Sequence, residues 1–207
     1  MRALARSGFL VVACVLAATT ARAAVLLDVS SALALSDPLQ LGRLSRNSVS
    51  QDWTGSEPFP GVINPTTPYH YHTYAVNVGL TPFIQVLFDS ISPDTFISAY
   101  DTSYNPNSAG APNFGFNVNW LGDAGTSGNF FGIDPLFFQV LAQTNHLLVL
   151  VVSETAAGNA GVGDPFRITV EGFVDSQFSD VPEPASLLLA ASALGIAARR
   201  RRRQGRR

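Results

Sequence analysis

Phe166-Arg167-Ile168-Thr169-Val170-Glu171-Gly172 alternates apolar and polar residues without a break. A side-chain period of two places Phe166, Ile168 and Val170 on one face and Arg167, Thr169 and Glu171 on the other, the pattern of a half-buried antiparallel strand. The same period recurs upstream. Tyr74, Val76 and Val78 alternate with Ala75 and Asn77, and Ile84, Val86 and Phe88 with Gln85 and Leu87. Phe114, Phe116, Val118 and Trp120 form another such row around Gly115, Asn117 and Asn119. Leu147 to Val152 is continuously apolar and rich in valine, as a central strand is. Thr95–Tyr100 and Leu136–Leu141 have strand length too. Turn-forming clusters separate these runs: Ser92-Pro93-Asp94, Asn105-Pro106-Asn107 and Gly158 to Asp164. Short strands at regular spacing, with no helical stretch among them, predict an all-β antiparallel sandwich. Outside the two ends, only Ser31 to Leu44 is compatible with a helix. No internal repeat is visible.

A succession of motifs carries a resemblance. Tyr71 and Tyr74 are followed by Phe88-Asp89, Asp94-Thr95-Phe96, Ala99-Tyr100-Asp101, Gly122-Asp123, the Leu147–Val152 run and the closing Phe166–Gly172 strand. This order resembles the bacterial pre-peptidase C-terminal type of β-sandwich over residues 69 to 173. The resemblance implies a non-catalytic, jelly-roll-like module of a secreted protein, with carbohydrate, protein or calcium binding among its uses. The chain departs from that pattern in having no attached catalytic domain and a longer turn from Tyr104 to Asn113. On this reading residues 69–180 are the sandwich core. Residues 24–68 are an N-terminal extension with an edge strand over Ser48–Trp53 and a Pro-rich loop from Gly55 to Pro68.

Charge is distributed unevenly. The whole chain carries a formal net charge of −2. Residues 24–180, however, hold fourteen Asp plus Glu against three Arg (Arg43, Arg46, Arg167) and no Lys, a net charge of −11. Such a surface opposes nucleic-acid binding and docking on anionic lipid. Without lysine there is no Schiff-base chemistry in this part of the chain.

Both ends read as targeting segments. Arg2 and Arg6, the apolar run Gly8 to Ala18, and Ala21-Arg22-Ala23 have the basic, apolar and small-x-small order of a signal peptide, helical in its apolar part. Cleavage after Ala23 by signal peptidase, following export through the Sec translocon, removes residues 1–23 and with them Cys14, the one cysteine. The mature chain then has neither a disulfide nor a thiol nucleophile. A second route stays open, since Val11-Val12-Ala13-Cys14 fits a loose lipobox in which Cys14 would be lipidated.

At the other end stand Val181-Pro182-Glu183-Pro184, an uncharged run from Ala185 to Ala198, Arg199 to Arg203, and Arg206-Arg207. As a helix the fourteen-residue run spans about 21 Å, short of the roughly 30 Å of bilayer hydrocarbon. That favours transient membrane insertion over a permanent transmembrane helix. The arginines favour a cytoplasmic C-terminus, and the prolines keep the approach extended. Residues 181–207 resemble the PEP-CTERM sorting signal of Gram-negative bacteria, with Pro182, Glu183 and Pro184 as its motif. The resemblance implies export across the inner membrane, processing by an exosortase, and a destination at the cell surface or outside the cell. It further implies association with exopolysaccharide, the extracellular matrix and biofilm.

Candidate chemistry in the core is sparse. Asp123, Asn129 and Asp134 lie in the turn-rich segment Leu121 to Asp134 and offer the hard oxygens that Ca²⁺ takes, with Asp94 and Asp101 as further donors. The plain alternative is that Asp, Asn and Gly are there because they suit turns. His70 and His72, two apart on a strand, have the spacing of a metal pair with His146 as a third ligand, but three scattered histidines equally suit structural roles. Trp53 and Phe59 stand in polar, loop-like surroundings and are candidates for stacking on sugar rings. No Gly-x-Ser-x-Gly, His-Glu-x-x-His or phosphate-cradling loop occurs. The sequence therefore predicts a secreted, non-enzymatic surface or matrix protein with no obligatory cofactor. A calcium- or glycan-binding module is the first alternative and a secreted hydrolase the second.

Overall fold

The computed structural model describes residues 23–107, 115–130, 132 and 134–175. Among them every regular element is a strand, and no helix is long and apolar enough to cross a membrane. The strands are β1 (Ala24–Ala32), β2 (Leu39–Leu44), β3 (Val62–Asn77), β4 (Phe83–Ser90), β5 (Thr95–Asp101), β6 (Trp120–Asp123), β7 (Leu136–Leu141), β8 (Leu147–Glu154) and β9 (Pro165–Phe173). They form two antiparallel sheets, β1-β9-β4-β7 and β2-β3-β8-β5-β6. With β2 set aside as an added edge strand, the chain passes from sheet to sheet in the order of a jelly roll.

The alternating rows meet where the sheets face each other. Ile84, Val86 and Phe88 of β4, Phe138 and Val140 of β7, and Ile168 and Val170 of β9 pack against Val76, Ile97, Ala99, Leu148, Leu150 and Val152. Each such side chain taken out of water contributes about 1.5–3 kcal/mol, against the entropy of ordering it. Arg167 faces outward and pairs with Asp28 of β1 through two hydrogen bonds of 2.7 and 2.8 Å.

The second sheet is buried on both faces at its centre. Ile97 and Ala99 of β5 point into the sandwich, whereas Phe96 and Tyr100 point out and are still buried. A smaller core covers them: Leu44, Phe96 and Phe116 with Phe59, Val62, Tyr104 and Trp120, and beside it Tyr100, Val149 and Val151 with Tyr71. This second layer explains why β8 reads as a continuous apolar run.

Four sequence expectations need correction. The row Phe114–Trp120 is not a strand: residues 115–119 are turns, Phe114 lies outside the described residues, and the strand starts at Trp120. Phe116 is fully buried but Val118 is 54% exposed, because the turn sends one ring onto the outer face of sheet two and leaves the next apolar residue in water. Ser31–Leu44 is not helical; it holds the end of β1 and all of β2, and Gly42 there adopts φ 84°. Ser48–Trp53 is not an edge strand but part of an irregular strap, residues 45–61, closed by a 2.9 Å hydrogen bond from Ser45 N–H to Gly61 O. The Pro-rich stretch is only partly a loop, since β3 begins at Val62 and contains Pro65 and Pro68. Both prolines precede Tyr71, where pairing with β8 begins, so that side of the strand needs no N–H donor there.

The strap bridges the two sheets. Gln51 N–H donates to Asp123 O (3.1 Å) and Gln51 O accepts from Gln139 N–H (2.8 Å), tying the β6 edge of one sheet to the β7 edge of the other. Two glycines make room for it. A Cβ on Gly122 would meet Gln51 at 2.6 Å, and one on Gly125 would meet the Val49 backbone at 2.4 Å, with Gly125 at φ 69°.

Candidate functional site

The segment read as a calcium loop is the dock for the strap. Asp123 is only 3% exposed; its Oδ1 accepts the Gly125 N–H at 2.8 Å and its Oδ2 has no hydrogen-bond partner. Burial pushes this carboxyl from 3.8 up to about 7, opposed by the Gly125 N–H and the Trp120 indole, with nearby Glu57 adding to the rise. The Trp120 N–H is aimed its way without reaching hydrogen-bond geometry.

The other proposed oxygen donors face elsewhere. Asn129 is exposed, and its amide donates to Ile91 O at 3.5 Å. Asp134 is exposed beside Asp89 of β4; desolvation and that second carboxyl both raise its pKa. Asp94 and Asp101 flank opposite ends of β5, on the order of 20 Å apart at strand rise. Among the described residues no group of three or more His, Cys, Asp or Glu could hold a metal ion.

The histidines separate as well. His70 is buried, with Nδ1 3.0 Å from Asp37 O and Nε2 3.2 Å from Asn159 Oδ1. His72 pairs with the Asp37 carboxylate at 2.9 Å. His146 pairs with Asp101 at 3.1 Å, next to the opposite end of β3. At strand rise, about 20 Å separates it from the first two.

Trp53 and Phe59 are half-buried rather than free platforms. The Trp53 indole donates to Ile84 O at 3.0 Å, and its ring meets Phe83 and Phe173 edge-on, each at 5.6 Å. Phe59 packs edge-on against Trp120 at 5.6 Å. Both rings anchor the strap. The loop that carries them folds back as a covering layer.

A cleft of about 250 Å³ lies between strap and sandwich, lined by Gln51, Asp52, Gly55, Glu57, Trp120, Leu121, Val140 and Leu141. Its charged groups are both carboxylates. Sequence reasoning missed the buried Glu154, whose Oε2 accepts the His70 N–H (2.8 Å) and Oε1 the Gly161 N–H (3.2 Å). Its place at the end of an apolar run was the only signal. Glu154 holds β3 and the 155–164 loop together, a structural task.

The sorting residues Pro182, Glu183 and Pro184, and Ala21 of the signal cleavage site, lie outside the described residues; Ala23 is described and half-buried just before β1. Residues 180–203 match the PEP-CTERM protein-sorting motif. No curated protein and no solved structure matches the chain. The motif marks an exported protein that an exosortase sorts, with the cell surface or the extracellular space as its destination.

Proposed function

We propose that the chain is a non-enzymatic structural or adhesive protein of the extracellular matrix, delivered by its tail and retained among secreted polysaccharide in a biofilm. The observation that carries this reading is the sorting motif at 180–203, which follows a closed sandwich ending at Phe173. The placement of the side chains supports it. The histidines lie apart and are engaged by Asp37, Asn159 and Asp101, and none of them lines the cleft that holds Asp52 and Glu57. The acidic, lysine-free core suits an extracellular polymer that is uncharged or cationic and disfavours polyanions.

The test is co-sedimentation. The exported protein is mixed with extracellular polysaccharide from its own host cells and pelleted at rising ionic strength. The expected result is protein in the pellet with the polymer. Protein that stays in the supernatant at every salt concentration removes the matrix part of the proposal.

A further inference from the structure

Both ends of the described chain leave the sandwich at one pole. Ala24, the first residue of β1, stands opposite Gly172 near the end of β9, and Phe83 at the start of β4 stands opposite Phe173 and Leu141. Five residues, 175–179, lie between Val174 and Asp180, where the sorting motif begins. Even fully extended they span only about 20 Å. Whatever surface receives the motif therefore lies close to this pole.

The pole has the composition of a surface that meets an apolar medium. Val25 (62% exposed), Leu80 (72%), Leu141, Leu147 and Val174 (61%) are all large apolar side chains in water there. Two short connections close it, 78–82 and 142–146, and neither contains Asp, Glu, Lys or Arg. The four connections at the far pole, 33–38, 91–94, 124–135 and 155–164, each contain an aspartate: Asp37, Asp94, Asp134 and Asp164. Four carboxylates stand at the margin of the near pole: Asp52 accepts from Thr54, Asp101 pairs with His146, Glu171 accepts from Gln85, and Asp175 is exposed beside Val174 where the chain leaves. The far pole exposes apolar side chains as well, Leu35, Ile91 and Phe130. The near pole differs in having short connections without charge and in lying where the tail leaves, and exposed apolar side chains in that position mark an interaction face.

We propose that this pole docks on the lipid bilayer interface while the tail is still inserted, so that the domain lies against the membrane as the segment joining it to the motif is cut. The inference rests on reading Ala185–Ala198 as membrane-inserted before processing. The bilayer is the occupant because the tail comes out beside the patch and the tether is short. Its accessible lipid is uncharged, because a core of net charge −11 is repelled by anionic headgroups. A few apolar side chains at the interface hold weakly by themselves. The tether supplies the local concentration that makes weak contacts count.

The experiment uses the full chain carrying Cys14→Ser, reconstituted in phosphatidylcholine vesicles. Single spin labels are placed through Leu80→Cys at the near pole, Ile91→Cys at the far pole and Ala190→Cys in the tail. Accessibility to a water-soluble relaxant is read for each. The expected result is strong protection at 190, severalfold protection at 80 relative to 91, and full exposure at 91. Protection at 190 with equal exposure at 80 and 91 overturns the docking and leaves the inserted tail standing. Exposure at 190 overturns the inserted tail, and the docking falls with it. A second variant guards against misfolding. Leu80→Asp with Val174→Asp should abolish protection of a label at Leu141→Cys without lowering the melting temperature, since both side chains are solvent-exposed. Retained protection in that variant also overturns the proposal.

Discussion

Phe116→Asp is expected to be among the most damaging single changes in the molecule. Its ring is fully buried against Leu44 and Phe96, with Tyr104 edge-on at 6.1 Å. Removing a buried phenylalanine costs about 3–5 kcal/mol, and an unpaired carboxylate in its place adds desolvation. Against the roughly 5–15 kcal/mol that holds a domain together, the second core layer should open. Asn117→Asp, one residue on and exposed, should stay within about 0.5 kcal/mol. Urea unfolding of the exported form checks both. A Phe116→Asp protein as stable as the parent would mean that residues 115–119 do not cover sheet two.

The second large effect is a stability profile that runs against ordinary acid denaturation. Asp123 titrates near 7 in the folded chain and near 3.8 when unfolded. The folded state therefore binds this proton more tightly. Its stabilising contribution is complete below about 4 and is lost as pH rises through about 7. A displacement of that size corresponds to on the order of 4 kcal/mol. Acidification from pH 8 to 5 should thus raise the midpoint of urea unfolding. Asp28 is the counter-case: hydrogen bonding to Arg167 lowers its pKa, so its contribution is lost only as pH falls below 3.8. The two windows barely overlap. Asp123→Asn should stabilise the protein at pH 8 and flatten the profile between 4 and 7. A wild-type midpoint that falls steadily from pH 8 to 5 would show that Asp123 is not held in a water-free site.

These two residues also show what the sequence made legible. β4 and β9 are readable because each row of side chains meets one environment per face, and burial then copies the period into the sequence, whereas β8 is readable as an unbroken apolar run because both its faces are buried. The class of fold followed from them. Phe116 is buried although residues 115–119 are turns, so its alternation with Val118 reflects turn geometry rather than pleating. β1 was hidden because Ala24-Val25-Leu26-Leu27 continues the apolar character of the preceding targeting segment. β2 was hidden because five leucines between Leu33 and Leu44 mimic a helical stripe. The strap was illegible because irregular backbone has no period. Its trace lies in Gly122 and Gly125, where a side chain would collide with Gln51 and the Val49 backbone. Asp123 looked like a ligand because sequence reports that a carboxylate is present and not which way it faces. The sorting tail was the reverse case. It is a linear signal, read by residue type and order, and needs no fold to be recognised.

In the proposed function the sandwich is cargo, exported and then freed from a tail that is cut. Intact mass of the protein recovered from the cell surface and the medium tests it directly. The account predicts a chain that lacks Met1–Ala23 at one end and, at the other, everything beyond a cut near Pro182–Pro184. A surface form that still carries Arg199–Arg207 would contradict it.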